Sequence, residues 1–293
     1  MTARKSRSAS TRESRRLRVV SPSPFGEEHY VAAGGQRIRV NVRRGIGVPL
    51  VLCNGIGASL EVLDPLVEHL DPGSAVVRFD VPGTGGSPTS VLPYGFPYLA
   101  WVLGRVLSKL EIGVVDVLGL SWGGALAQQF AFQNPRRCRR LVLVATGTGA
   151  LMVPGQPRVL AKMLTPRRFS DPDYAASIAG ELYGGTVRTH GEDVARLFVR
   201  QLHAGSKMGY LHQLLAGAVW TSLFALPTVR QETLIMAGAD DPIIPMVNAH
   251  IMNTLLPHSR LHQHSGGHID LVHNAAELAP VVDAFLREPQ KSP

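Results

Sequence analysis

The sequence predicts an α/β fold: a mostly parallel central sheet flanked by helices, with an inserted helical cap. Three observations carry this. Short aliphatic runs alternate with helical stretches from residue 31 to residue 144, the rhythm of parallel strands joined by helical crossovers. The alternation stops between about Ala150 and Pro227, where no convincing core strand occurs, and resumes with Thr233–Ala237. One strand-to-helix junction, Gly119-Leu-Ser-Trp-Gly, carries a serine at the carboxyl end of its strand, the edge at which open α/β sheets bind ligands.

The elements follow in order. Val31–Ala33 and Ile38–Val42 read as strands of a hairpin turning at Gly34-Gly35. Val48–Cys53 is a buried strand that ends at Asn54-Gly55. Leu60–Leu70 has its apolar residues at helical spacing, Ala75–Phe79 is the next strand, and Leu99 to Leu110 marks one helix face. Val114–Leu118 is a strand; Gly124–Phe132 is a helix stopped by Asn134-Pro135; Leu141–Val144 is a strand. The cap has helical stretches around Leu160, Ala176–Tyr183, Asp193–Leu202 and Leu211–Leu226. Met246–Leu256, Arg260–His264 and Ala276–Leu286 then read as helix, strand and helix. The expected organisation is a basic arm over 1–22, a core over 23–149 and 228–288, a cap over 150–227 and a short tail over 289–293.

Composition excludes several classes. With 293 residues, 45% hydrophobic and 18% charged, the chain can bury a large core and is not disordered as a whole. The longest mostly apolar stretch, Leu211 to Leu226, is too short and, with His212 and Gln213, too polar to span a bilayer. Cys53 and Cys138 are too few for a disulfide framework or a four-thiolate metal site, so nothing demands an oxidising compartment and a cytoplasmic location is expected. Six of the eight net positive charges fall within residues 1–18, so the basic character belongs to the arm. The arm reads as a solvated segment, with polyanion binding as the alternative; no specific nucleic-acid function is expected. Arg15-Arg16 lacks a following apolar region, and export is not expected.

The chemistry centres on Ser121. Gly119-Leu-Ser-Trp-Gly matches the G-x-S-x-G nucleophile elbow in its required strand–turn–helix setting. A sharp, strained turn lifts the hydroxyl out of the sheet, and the following helix N-terminus favours a developing oxyanion. A serine needs a base, and the base needs an acid to orient it. Among eleven histidines, His268, in Gly266-Gly-His after the last strand, is best placed to return to the elbow; His262 and His264 read as surface or packing residues. Asp241, after the preceding strand, is the expected acid, with its neighbour Asp240 as the alternative. The oxyanion donors are expected to be the backbone N–H groups of Trp122 and Ile56, the latter between two glycines. Asn54, Trp122, Trp220 and Phe224 are expected substrate contacts. Gly83-Thr-Gly-Gly-Ser lacks phosphate-loop spacing and reads as a structural turn, and Cys53 as a buried small residue. No metal or cofactor is expected.

These motifs resemble the α/β-hydrolases, and more narrowly the intracellular medium-chain-length poly(3-hydroxyalkanoate) depolymerases. The resemblance covers about residues 28–288. It is carried by Asn54-Gly-Ile-Gly-Ala, Phe79-Asp-Val-Pro-Gly-Thr-Gly-Gly-Ser, Ser121-Trp-Gly-Gly-Ala-Leu-Ala-Gln-Gln-Phe, Met152-Val-Pro-Gly and Asp241-Pro-Ile-Ile-Pro, with Gly217–Ser222 in the cap. It implies a serine ester hydrolase with Ser121, Asp241 and His268 at the triad positions, acting on a hydrophobic ester or polyester, with a storage-granule surface as a partner. The chain departs from the family pattern in its Arg-rich arm and at Cys53. Non-haem haloperoxidases (perhydrolases) are similar in fold and triad but typically carry Met where this chain has Trp122; that chemistry, and a general carboxylesterase or lipase, are the alternatives. A catalytically silent scaffold is a further one. The cap's apolar residues from Leu211 to Leu226 are expected in part to line an acyl slot above Ser121.

Overall fold

The computed structural model describes residues 25–190, 192 and 205–289. The proposed arm, the stretch Asp193–Leu202 and nearly all of the tail lie outside the described residues. Eight strands form one sheet: β1 (Glu27–Ala33), β2 (Gln36–Arg43), β3 (Ile46–Cys53), β4 (Ser74–Phe79), β5 (Val115–Leu120), β6 (Cys138–Val144), β7 (Glu232–Gly238) and β8 (Ser259–His264). Their spatial order is β1-β2-β4-β3-β5-β6-β7-β8. β2 runs antiparallel to both β1 and β4, and the remaining pairings are parallel. The β1–β2 hairpin turns at Gly34 and Gly35, whose φ angles of 58° and 77° are the double left-handed turn that matches strand twist.

Side-chain alternation along the parallel strands builds two cores. Val117, Leu141, Leu143 and Ile235 face one side of the sheet, Leu118, Leu120, Val142 and Val144 the other. The first face is covered by α2 (Phe96–Lys109) and α3 (Trp122–Gln133), through Leu103, Leu107, Leu126 and Phe130. On the second face Leu66 comes from the helical stretch after Leu60, which is a 3-10 turn (Leu60–Leu63) leading into a short helix, α1 (Asp64–His69). Leu278, Val282 and Phe285 complete it from the C-terminal helix Ala275–Arg287.

Between β6 and β7 the described chain is helical, apart from an isolated bridge joining Thr221 to Gly149. α4 (Pro157–Lys162) and α5 (Pro172–Tyr183) build a third apolar cluster around Val159, Ile178 and Leu182. α5 starts where the Asp171 carboxylate accepts the Tyr174 N–H. α6 (Lys207–Val219) corrects the expected Leu211–Leu226 helix: it starts at a Ser206 cap and ends before Trp220, where the chain becomes extended to make the bridge. Its buried face is Tyr210, His212, Gln213 and Ala216, while Met208, Leu211, Leu215 and Val219 point outward. The leucines at 211 and 215 therefore do not line a slot above Ser121. Among the described residues α7 (Val247–Leu255), α8 (Asp270–His273) and α9 (Ala275–Arg287) follow. No helix among the described residues is long and apolar enough to cross a membrane.

Candidate active site

Ser121 occupies the one-residue turn between β5 and α3, with φ 54° and ψ −119°. A non-glycine residue in this region is strained, and the surroundings hold it there. Its N–H donates to Val144 O at 2.9 Å, and its carbonyl accepts from the Gly124 N–H and the Thr146 hydroxyl, both at 2.8 Å. The flanking glycines are required by close approach. A Cβ on Gly119 would lie 2.4 Å from Gly123 O, and one on Gly123 would lie 2.1 Å from Cys53 O. α3 thus packs directly against β5 and β3, with its N-terminus at the serine.

His268 and Asp241 reach Ser121 from the loops after β8 and β7. His268 Nδ1 lies 2.8 Å from Asp241 Oδ2, and Nε2 lies 2.9 Å from Ser121 Oγ. A carboxylate only accepts, so Nδ1 carries the proton and donates to Asp241; Nε2 then presents a lone pair to the serine hydroxyl. The other Asp241 oxygen accepts the Ile243 and Ile244 amides, each at 2.9 Å. Both side chains are almost fully buried. The His268 amide donates to Tyr183 O at 2.7 Å, and the Tyr183 ring stacks parallel to the imidazole. Asp240 does not meet the histidine. It is half-exposed, pairs with Arg188, and that hydrogen bond pulls its carboxyl below the usual range.

Ile56 and Trp122 border the cavity at Ser121. The loop carrying Ile56 is clamped from α6. Gln213 Oε1 accepts the Gly57 N–H at 2.9 Å, its Nε2 donates to Thr84 Oγ1 at 2.6 Å, and its carbonyl accepts the Trp122 indole N–H at 2.9 Å. Gln213 is absent from the sequence-based site because a lone glutamine in a leucine-rich stretch carries no motif. From below, Arg39 bridges Glu28, Glu61 and Asp80, and Asp80 accepts the Leu60 N–H. The Gly83–Ser87 loop turns around that same carboxylate, with the Gly86 N–H donating to it.

Two cavities meet at Ser121. The larger, about 280 Å³, is lined by Phe96, Trp122, Ala125, Met152, Trp220 and Ile244. The Trp122 ring packs on Phe96 at 4.6 Å, and Trp220 packs on Phe96 at 5.0 Å while its indole N–H donates to Gln129. The smaller cleft, about 40 Å³, is bordered by Asn54, His268, Arg168 and Tyr183. The Asn54 amide is engaged by its own loop, donating to Ser59 O and accepting the Gly55 N–H. Phe224 lines neither cavity. It is 78% exposed, because α6 stops at Val219 and Phe224 falls at the turn after the Gly149–Thr221 bridge, next to the buried Ser222 and Leu226. Cys53 and Cys138 are free and buried, and burial pushes both thiols up, so neither is poised as a thiolate nucleophile. His262 and His264 stack on each other on β8 and line neither cavity. No cluster of His, Cys, Asp or Glu able to hold a metal occurs among the described residues.

The family model described as alpha/beta hydrolase fold matches residues 48–275. The chain is 46% identical over 260 residues to a protein of Ectopseudomonas oleovorans named poly(3-hydroxyalkanoate) depolymerase, covering 88% of this chain and 92% of that one. It is 30% identical over 242 residues to a 2-hydroxy-6-oxo-2,4-heptadienoate hydrolase of Pseudomonas putida, covering 79% and 86%. The enol-lactonase structure from Burkholderia xenovorans superposes with a TM-score of 0.77 at 20% identity, over 89% of this chain and all of that one. The elbow, the sheet order and a family match across most of its length agree: the chain belongs to the α/β-hydrolase family, and within it resembles the poly(3-hydroxyalkanoate) depolymerases.

Proposed function

We propose that this protein is a serine ester hydrolase that cleaves medium-chain 3-hydroxyalkanoate polyesters or oligoesters. The observation that carries the reading is the hydrogen-bonded chain from Ser121 through His268 to Asp241, at the mouth of an apolar cavity. Ser121 Oγ attacks the ester carbonyl while His268 Nε2 takes its proton. The Ile56 and Trp122 amides receive the oxyanion, and Asp241 steadies the imidazolium. His268 then protonates the departing alcohol, leaving an acyl-serine, and water repeats the sequence to release the acid. The alcohol must leave on the side of the histidine. That is the smaller cleft, so the acyl chain takes the larger cavity.

The polyester substrate is supported by the 46% identical depolymerase and by the aromatic and aliphatic lining of the acyl cavity. The free, buried cysteines fit a reducing cytoplasm. The outward apolar stripe Met208, Leu211, Leu215 and Val219, continued by Phe224, fits contact with a hydrophobic granule surface.

The test is a chain-length series of aryl esters alongside emulsified polyester. Each fitted methylene contributes about 0.8 kcal/mol, so kcat/KM rises up to about fourfold per carbon from acetyl to about C6–C10. Medium-chain polyester is hydrolysed in preference to short-chain polyester. A flat or acetyl-favouring profile would overturn the substrate assignment.

A further inference from the structure

Arg168 is 3% exposed, yet no carboxylate pairs with it among the described residues. Its Nη1 donates to Thr165 O at 3.3 Å and to the Tyr210 hydroxyl at 3.0 Å. The Phe169 and Tyr210 rings flank the guanidinium at 4.3 Å and 5.5 Å. Its Nε is buried without any hydrogen-bond partner. A buried cation held only by neutral groups is costly, and proteins normally pair it. The other deeply buried arginines obey that rule: Arg39 meets Glu28, Glu61 and Asp80, Arg78 meets Asp64, and Arg140 meets Glu232. Arg168 is the exception, and it lines the smaller cleft together with Ser121 and His268. Tyr183 lines the same cleft and stacks on His268.

We propose that Arg168 binds a carboxylate carried by the leaving alcohol, so that the preferred substrates are 3-hydroxyalkanoate oligomers with a free carboxyl end. The inference rests on the ester-hydrolase reading above. In such an oligomer the terminal unit is the alcohol of the last ester bond, and its carboxylate lies two carbons from the ester oxygen. With that carboxylate against Arg168, the scissile carbonyl falls toward Ser121 and the rest of the chain enters the apolar cavity. The Ser121 Oγ–acyl bond forms, and the bond from the acyl carbon to the terminal unit's oxygen breaks. That oxygen takes the proton from His268, and a 3-hydroxy acid departs. Water then cleaves the acyl-serine, returning the proton to Ser121 and giving a shortened oligomer with a new carboxylate end, which is again a substrate. A guanidinium suits this role because it stays charged and matches a carboxylate in geometry.

The experiment compares the dimer of 3-hydroxyoctanoate with its carboxyl-terminal methyl ester, following only the internal ester bond by chromatography. The unmodified enzyme is expected to cleave the free acid with kcat/KM at least about tenfold above the methyl ester, the range of a charge-assisted hydrogen bond. In Arg168→Gln that ratio falls to near one, and competitive inhibition by 3-hydroxyoctanoate weakens in parallel. Equal cleavage of the two dimers by the unmodified enzyme, with aryl octanoate still hydrolysed, would overturn the carboxylate site and leave the ester-hydrolase reading standing. Failure on every ester would overturn that reading itself. An Arg168→Gln protein that melts normally and keeps the acid preference would remove Arg168 from the role. If that variant does not fold, the comparison in the unmodified enzyme still decides whether a carboxylate is recognised.

Discussion

Each member of the Ser121–His268–Asp241 chain is held by contacts independent of the others. The elbow strain is balanced by Val144, Gly124 and Thr146, the imidazole is anchored through Tyr183, and the carboxylate is fixed by two amides. Ser121→Ala and His268→Ala are therefore expected to fold normally while losing on the order of 10⁴-fold or more in kcat, as members of one unit do. Asp241→Asn loses activity steeply, and Asp240→Asn keeps most of it; steady-state kinetics with an aryl ester, checked by thermal melts, tells them apart. The reverse result would make Asp240 the acid. Asp240 is held in its charged form by Arg188. Arg188 holds its folded pKa below its unfolded value of about 3.9, so whatever that pair contributes is present above that pH and lost as pH falls through the folded pKa. The half-exposed pair is therefore intact throughout the working range. The choice of Asp241 over Asp240 was only partly legible, because adjacent acids point to opposite sides of a loop and sequence does not state which side faces the histidine.

At the scale of elements, α6 departs most from the sequence expectation. Hydrophobicity alone would bury its leucines, but the helix buries Gln213 instead, which satisfies the Gly57 N–H and the Thr84 hydroxyl. Gln213→Leu leaves those groups unpaired, at a cost of about 1–3 kcal/mol. It also loosens the loop that carries Ile56, so kcat is expected to fall about tenfold with a smaller change in KM. Lost stability with unchanged kcat would show that the clamp is structural only. The outward stripe has its own test. Val219 is 81% exposed and Leu215 44%, so Leu215→Ser with Val219→Ser should leave the melting temperature within a few degrees. The same double variant is expected to lose several-fold activity on emulsified polyester while soluble-ester hydrolysis stays level. Equal activity on the emulsion would remove the stripe from granule contact.

For the whole molecule, residues 1–22 lie outside the described residues, and their sequence has no core-forming periodicity. A chain beginning at Ser23 is expected to keep its melting temperature and its kcat on soluble esters, measured side by side with the full chain. A large loss of either would show that the arm packs on the domain.

The sequence by itself determined the alternating architecture, the elbow at Ser121 and the order of the residues that follow it. Strand and helix periodicity and a glycine-framed turn are local properties, written within a few residues of where they act. Only the tertiary structure decided that Asp241 rather than Asp240 meets His268, that Phe224 faces solvent, that Gln213 clamps the Ile56 loop, and that Arg168 lines the cleft at the serine with no carboxylate paired to it among the described residues. Each of these depends on which distant groups share one small volume. Unpaired donors and acceptors must be satisfied there whatever the local pattern prefers, and that demand becomes visible only once the chain is folded.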